Sequence, residues 1–510
     1  MRVRTRRSFL KTTAVAAGAT AAAHVLPVGW YRLAYAGEAG YFESEFGITD
    51  ALCQRALTAA LAKGGDFADL YFEHTISNWT MLEDGKVNRA YADVELGVGI
   101  RTVKGQQVGY GFTQDLSKEA VLAAASTAAT IADGEARKPA GEFVTLKTDN
   151  YYPLKRLLTS VPLDVKLPIV QAVNQKAFEL SPLVVKASVG FHDQQKRMMV
   201  VTSAGAKVED LLPRNYLWAS VVAEKDGRRE RAGWNLGGRK DFSFYTPEVV
   251  NRVASGAVDR TVKLFDAVQP PAGEMPVVLG PGLTGILLHE AIGHGMEADF
   301  NRKNISTYCT MIGKQVAEPF VTIIDDPTNT GMLGALNVDD EGTIGRKTVL
   351  VENGILTSYM HDKISATHYK LEPTGNGRRQ SYQHYIQPRM CNTYMLGGQS
   401  TPEEVIKSVK KGIYVKDVSN GQVKIGEGDF AFYVSQGRMI EDGKLTAPIK
   451  DMNIMGNGPK MLRNTTMVAN DPKMSESGAG WCGKGGQRVP VGFGLPTCLV
   501  KSMTVGGVKA

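Results

Sequence analysis

The chain has 510 residues, enough for two or three domains, and its composition, 43% hydrophobic and 22% charged, excludes a disordered protein. The formal net charge is +7, but six positive charges precede residue 37, where there is no acidic residue, so the rest of the chain carries only +1. A nearly neutral body gives no reason to expect a nucleic-acid partner.

The first 36 residues have the layout of an export signal. A basic start that contains Arg6 and Arg7 precedes an alanine-rich apolar run at 12–26, and small residues end the segment at Ala36. The paired arginines resemble a twin-arginine signal. We expect cleavage after Ala36 and a periplasmic protein with no remaining membrane span. An uncleaved anchor is the alternative, although the run is short and alanine-rich for crossing a bilayer.

Residues 45–270 predict an N-terminal α+β domain, in which helices lie against a mostly antiparallel sheet. Pro270-Pro271 marks its end, and residues 135–160 lack periodicity, which indicates a linker or wrapping segment. The predicted helices are 51–63, 116–132, 165–180 and 247–265, and the predicted strands are 68–75, 79–82, 87–98, 109–113, 184–192, 197–202 and 216–222.

Residues 271–510 predict a β-rich domain that contains an apolar helical segment near residue 285. A second helix is predicted at 402–411, with a capping box formed by Thr401 and Glu404 and an end at Gly412. The predicted strands are 276–279, 321–324, 348–351, 355–360, 423–425 and 430–440.

The apolar helical segment ends in a cluster of histidines and carboxylates at 289–299. His289 and His294 are candidate zinc ligands, and Glu290 is a candidate general base for a metal-activated water. Chance recurrence of these residue types near a helix end is the alternative interpretation.

The spacing of the two histidines differs from the common zinc-protease signature. That signature, His-Glu-x-x-His, places its histidines four residues apart on one helical face. Here they are five apart, which turns them roughly 140° from each other on a regular α-helix. We therefore predict a wider π-type turn, or a departure from helical geometry at Gly293, that brings both imidazoles to one ion.

A third zinc ligand is needed, and the residues themselves leave it open. Glu297 and Asp299 follow the motif closely, although Glu297 would be cramped on the same helix. Cys482 lies among glycines, where a metal can approach a thiolate, but a buried or free thiol is the alternative there. The later histidines and other cysteines are further candidates. The odd number of cysteines gives no disulfide framework: they are Cys53, Cys309, Cys391, Cys482 and Cys498.

Five segments, in this order along the chain, resemble the TldD/PmbA family of modulator-of-gyrase peptidases, and its TldD branch in particular: 289–302, 338–342, 375–379, 392–395 and 482–487. The resemblance runs from about residue 45 to the C-terminus. It implies a zinc metallopeptidase whose ligands correspond to His289, His294 and Cys482 and whose catalytic glutamate corresponds to Glu290. It also implies an α/β N-terminal domain and a β-rich, barrel-like C-terminal domain that carries the site.

The resemblance further implies hydrolysis of short or unfolded peptides and a dimer with a related subunit that lacks the metal motif. The family's characterised type is cytoplasmic, so the export signal leaves the partner and the natural substrate open. Two other functions are kept as alternatives. A zinc amidase that acts on cell-wall peptides would use the same residues, and a non-catalytic peptide-binding subunit would be expected to lack Glu290.

The sequence does not identify the group that stabilises the oxyanion. His361, His384, Tyr382 and Arg379 are candidates, each more readily explained by a structural role. The acidic run 339–341 is interpreted as a solvated turn.

Overall fold

The computed structural model describes residues 40–507, and the predicted export signal at 1–36 lies outside them. Helix α1 (Tyr41–Phe46) belongs to a compact unit that ends at Gly47, and all other elements belong to a second unit that begins at Ile48. Helices make up 23% and strands 42%, so the fold is α+β, as predicted.

A seven-stranded sheet dominates the first part of the second unit. Its strands are β1 (Phe67–Glu83), β2 (Lys86–Lys104), β3 (Gln107–Thr113), β4 (Val144–Thr145), β5 (Val184–Thr202), β6 (Ala206–Lys225) and β7 (Arg228–Gly238). The order is β3-β2-β1-β5-β6-β4, with β7 also paired to β6, and β4–β6 is the one parallel pair of this sheet.

The breaks predicted within β1 and β5 do not occur. Polar residues interrupt the apolar pattern of both strands at the same level, and they pair with each other across the strands. Asn78 donates a hydrogen bond to Asp193 at 2.8 Å, and Gln194 donates to Ser77 at 3.0 Å. Because these cross-strand pairs satisfy the polar groups, each strand continues through a stretch that resembles a turn in sequence.

Helices cover one face of this sheet. Valine and alanine side chains of helices α4 (Leu163–Leu180) and α5 (Pro247–Val262) form a buried core with Phe191, Leu217 and Val221 of the sheet. Thr246 caps α5 by accepting a hydrogen bond from the Val249 N–H, as expected for an N-cap threonine. The helices are α2 (Asp50–Ala60), α3 (Lys118–Ala129), α4 (Leu163–Leu180) and α5 (Pro247–Val262), with 3₁₀ turns at Leu158–Ser160, Phe242–Phe244 and Lys263–Asp266.

A closed barrel forms the centre of the C-terminal part. Its strands are β8 (Gly273–Leu279), β15 (Lys411–Lys424), β16 (Asp429–Glu441), β18 (Met452–Asn457) and β24 (Cys498–Gly506). β15 pairs with both β8 and β16, which closes the ring β15-β8-β24-β18-β16. Phe430, Phe432 and Val434 of β16 lie in its buried core.

The remaining strands of the C-terminal part are β9 (Ile323–Asp325), β10 (Thr348–Glu352), β11 (Ile355–Leu356), β12 (Gly377–Arg378), β13 (Gln387–Pro388), β14 (Asn392–Met395), β17 (Lys444–Ile449), β19 (Thr465–Val468), β20 (Lys473–Met474), β21 (Trp481–Lys484), β22 (Gln487–Pro490) and β23 (Gly492–Leu495). A six-stranded sheet, β11-β10-β9-β14-β23-β20, and two short hairpins, β12–β13 and β21–β22, accompany the barrel. The helices are α6 (Gly285–Leu288), α7 (Ala298–Arg302), α8 (Lys363–Tyr369), α9 (Pro402–Lys407) and α10 (Gly458–Arg463).

The start of α9 is as predicted and its end is not. Thr401 and Glu404 form the capping box. The helix stops at Lys407, and Gly412 lies within β15, where a Cβ would come 2.4 Å from the Pro276 carbonyl oxygen of β8. This glycine therefore permits close strand pairing and does not end a helix.

The acidic run 339–341 is not a solvated turn. Asp339 accepts hydrogen bonds from the backbone N–H groups of Glu341, Thr343 and Gly377, and burial raises its pKa well above the usual range. Glu341 lies 2.8 Å from Arg101 of β2. The run therefore anchors the C-terminal part to the first sheet, because a buried carboxylate needs a partner and finds it there. No helix within residues 40–507 is long and apolar enough to span a membrane.

Candidate metal centre

The segment that carries both histidines contains the predicted wider turn. It leaves α6 as a π-helical turn, His289–Gly293, and continues as a 3₁₀ turn, His294–Met296. Because a π-helical turn bonds residue i to residue i+5, it aligns two residues that are five apart. The predicted distortion is therefore confirmed.

His289, His294 and Cys482 come together in one buried cluster. One ligand atom from each lies within 4.8 Å of the other two, and the Nε2 of His294 is 3.3 Å from the Sγ of Cys482. Donor atoms around a tetrahedral zinc ion are separated by roughly 3.3–3.6 Å, given the usual Zn–N and Zn–S bond lengths. The separation between His294 and Cys482 falls within that range.

Cys482 reaches the cluster on a tight hairpin. Within β21, Cys482 and Lys484 are buried, whereas Trp481 and Gly483 are exposed, as the alternation of a strand requires. Gly485 and Gly486 form the turn at φ values of 55° and 76°, a conformation that favours glycine in two-residue hairpins. The hairpin thus brings the thiol of Cys482 to His294, although the two residues are 188 positions apart in the chain.

The buried polar atoms of the cluster fit a metal ion. His289 is 1% exposed, and neither ring nitrogen has a hydrogen-bond partner. An unpaired buried imidazole is costly, and coordination of a cation would remove that cost. The donor set of two imidazoles and a thiolate is one that zinc accepts.

The electrostatics of the cluster favour a thiolate. Burial opposes ionisation of Cys482, but the imidazoles of His294 and His289 and the guanidinium of Arg389 outweigh it, so the pKa of the thiol is well below its usual range. Burial also disfavours a charged His294, yet Cys482 and Glu297 raise its pKa well above the usual value. The surroundings that favour a proton on His294 also favour a metal cation.

Glu297, one of the candidate third ligands, contacts a histidine in this structure. Its Oε2 lies 2.9 Å from the Nδ1 of His294, on the ring side opposite Cys482. Burial raises the pKa of Glu297, but Lys484 and His294 lower it to about 2, so the carboxylate stays charged. Asp299 accepts a hydrogen bond from Lys484 at 2.7 Å. Among residues 40–507, neither carboxylate belongs to the group of converging ligand atoms.

Glu290 lies at the edge of the cluster. Its Oε2 is 3.6 Å from the Nε2 of His294, and 17% of its side chain is exposed. The carboxylate can therefore contact both the ligand cluster and an incoming molecule, which the buried ligands cannot. A general base needs this combination.

The four residues considered for the oxyanion are occupied elsewhere or lie outside the cluster. Arg379 contacts Asp69 and Tyr110, and the Tyr382 N–H donates to Glu73. Those contacts join the C-terminal part to the first sheet. The Nδ1 of His384 lies 3.0 Å from the Ser381 hydroxyl, and His361 packs against Tyr359 and Tyr369.

The π-helical turn also depends on a glycine outside it. A Cβ at Gly458, the first residue of α10, would lie 1.9 Å from the Ala291 carbonyl oxygen. We expect Gly458→Ala to lower the free energy of unfolding by about 1–3 kcal/mol, the usual cost of overpacking, in urea denaturation. Gly483→Ala is the matched control, because a Cβ there meets nothing within 4 Å. Equal stability of the two variants would show that α10 can move away from the turn.

Comparison with known proteins places this chain in one family. Models of the PmbA/TldA metallopeptidases match in three parts, domain 1 at 68–132, the central domain at 156–265 and the C-terminal domain at 272–507. The metalloprotease TldD homolog of Haemophilus influenzae is 38% identical over 455 residues, which cover 87% of this chain and 93% of that protein. The chain belongs to the PmbA/TldD metallopeptidase family.

Two further proteins are similar to this chain, one in sequence and one in fold. The zinc metalloprotease TldD homolog of Saccharolobus solfataricus is 29% identical over 87% of this chain and 97% of its own length. The crystal structure of TldE from Thermococcus kodakarensis has a TM-score of 0.70 at 19% identity and covers 87% of this chain and 97% of its own length. The chain is a metallopeptidase, and the family resemblance inferred from the sequence is confirmed.

Three residues around the cluster have contacts that the sequence did not indicate. The sequence predicted Glu297 only as a candidate ligand, and it predicted no role for Lys484 or Arg389. The sequence positions of Glu297 and Lys484 relative to the predicted ligands could have indicated these contacts. Glu297 follows His294 by three residues, a spacing that lets side chains meet in helical segments, and Lys484 follows Cys482 by two, which puts both on one face of a strand.

Proposed function

We propose that this metallopeptidase is a zinc peptidase in which His289, His294 and Cys482 hold the ion and Glu290 is the general base. The observation that carries the proposal is the convergence of three buried donor atoms within 4.8 Å, beside a partly exposed carboxylate. A zinc ion bound there would supply Lewis-acid activation of water and of the substrate carbonyl. The name of the Saccharolobus solfataricus relative supports the choice of zinc.

The residues of the chain divide the work of hydrolysis among them. Glu290 accepts a proton from the attacking water and delivers it to the leaving amine as the peptide bond breaks. Burial of His289 and Cys482 keeps bulk water away from the ligands. The contact of Glu297 with the Nδ1 of His294 holds that ring in one orientation. The attacking water and the substrate carbonyl would therefore meet in a fixed geometry.

The proposed substrates are short or unfolded peptides, and the proposed partner is a related subunit of the TldE type. The fold supports the partner, because TldE from Thermococcus kodakarensis has the same architecture over most of its length. We also propose that the protein is exported to the periplasm, as the twin-arginine pattern of residues 1–36 suggests.

Metal removal tests the proposed function. We expect the purified mature protein to cleave unstructured peptides, to lose that activity after treatment with a chelator and dialysis, and to regain it with Zn²⁺. Ca²⁺ should not restore activity, because it requires oxygen ligands that this cluster lacks. Cleavage would be measured by mass spectrometry of a peptide mixture, with cell-wall peptide fragments as a parallel substrate set. Activity that survives chelation would contradict the proposal.

A further inference from the structure

We propose that Glu297 and Lys484 form a positioning pair, which holds His294 and Cys482 in place as ligands of the same ion. The inference rests on the function proposed above and assigns roles to two residues that are not ligands. Both side chains are buried, at 0% and 5% exposure. They come from the two elements that the metal centre has to bring together.

Glu297 determines which nitrogen of His294 faces the cluster. Its Oε2 lies 2.9 Å from Nδ1, while Nε2 lies 3.3 Å from the Sγ of Cys482. When the carboxylate accepts a hydrogen bond from the Nδ1–H, the neutral ring presents the Nε2 lone pair to the ion. Such a carboxylate fixes both the tautomer and the rotation of a metal-binding imidazole.

Lys484 connects that carboxylate to the hairpin that carries Cys482. Its Nζ lies 3.1 Å from the same Oε2 of Glu297 and donates to Asp299 at 2.7 Å and to the Pro388 carbonyl at 2.9 Å. Lys484 and Cys482 are two residues apart and therefore lie on the same face of β21. The contact of the Lys484 ammonium group with Glu297 thus sets the position of the Cys482 thiolate as well. The Oε2 of Glu297 thus links the positions of the ligands His294 and Cys482.

Arg389 strengthens the same junction. It donates to the Cys482 carbonyl oxygen at 2.6 Å, and its Nε lies 3.8 Å from the other carboxylate oxygen of Glu297. Two cations therefore surround a carboxylate that is fully buried. The Oε2 of Glu297 contacts both Lys484 and the ligand histidine His294. An ion pair that only stabilised the fold would not require the second contact, so the arrangement favours a role in the metal centre.

The dissociation constant for Zn²⁺ tests the inference independently of peptidase activity. We expect Glu297→Gln and Lys484→Met each to weaken zinc binding about 10- to 100-fold, the usual effect of removing a partner of a metal ligand. Because both act through one contact, the double variant should bind little worse than either single variant. Affinity would be measured by competition with a chelating dye.

Further variants and spectra separate positioning from general stability. Arg488→Met changes an exposed cation on the same hairpin and should leave zinc affinity unchanged. Glu297→Met should weaken zinc binding more than Glu297→Gln, because the glutamine carbonyl still accepts a hydrogen bond from the Nδ1–H of His294.

In the Co²⁺-substituted protein, the thiolate-to-cobalt absorption band of Lys484→Met should shift or weaken, because that band reports the position of Cys482. Circular dichroism would confirm that each variant is folded.

Zinc affinity of Lys484→Met equal to that of Arg488→Met, in folded protein, would overturn the positioning pair and leave the proposed function intact. A wild-type protein that binds no zinc would overturn both. Unequal affinities in the stated order would support the pair, since a purely structural defect lowers stability without changing the affinity of the folded molecules.

Discussion

Glu290→Gln should lower kcat for peptide hydrolysis about 10²- to 10⁴-fold, the usual contribution of a general acid–base group. The amide keeps the shape of the carboxylate but cannot accept the proton of the attacking water. Because Glu290 is not among the converging ligand atoms, the variant should bind as much zinc as the wild type. The measurement pairs kcat with metal content by mass spectrometry.

The control for this prediction is a glutamate that does not belong to the cluster. Glu352, at the exposed end of β10, offers the same chemical change, and Glu352→Gln should leave both kcat and metal content unchanged. Retained peptidase activity in a zinc-loaded Glu290→Gln protein would assign the proton transfer to another group. The non-catalytic alternative would be supported if neither the wild type nor the variant cleaved any peptide.

The sequence was sufficient to predict the local backbone geometry of the segment that carries the two histidines. The five-residue spacing of His289 and His294 required a wider turn, and the structure has one. Spacing works here because helix geometry alone determines which residues share a face. It could not decide the third ligand, since the approach of Cys482 to His294 depends on the fold across 188 residues. Among the candidates that the residues left open, only the family resemblance selected Cys482.

Buried polar groups were the part that the sequence did not predict. The acidic run 339–341 has the composition of a surface turn, and long-range contacts such as the pairing of Glu341 with Arg101 make it an interior feature. The predicted breaks within β1 and β5 were wrong for the same reason, because residues on the neighbouring strand accept the hydrogen bonds of Asn78 and Gln194. A polar residue indicates exposure only until its partner is known.

Cys482→Ser should weaken zinc binding by more than about 100-fold, because even partners of metal ligands contribute about 10- to 100-fold and a ligand contributes more. A serine hydroxyl is a much poorer zinc ligand than a thiolate, and it does not ionise at neutral pH. Glu290, His289 and His294 remain in the variant, so any loss of metal belongs to the sulfur. Peptide cleavage should fall with the metal and recover partly at high Zn²⁺ concentration.

The measurement is zinc content and affinity of the mature protein, wild type beside Cys482→Ser, with Cys309→Ser as the matched control. The Cys309 thiol is partly exposed and lies 3.4 Å from the Asn301 carbonyl oxygen, outside the ligand cluster. We expect a single zinc ion in the wild type and in the control, and little in Cys482→Ser. Zinc retained in Cys482→Ser would mean that a fourth side chain replaces the thiolate. Glu290, whose Oε2 lies 3.6 Å from His294 Nε2, is the first candidate. Glu297 could coordinate the ion only by giving up its contact with His294 Nδ1, and the orientation of that histidine would change with it.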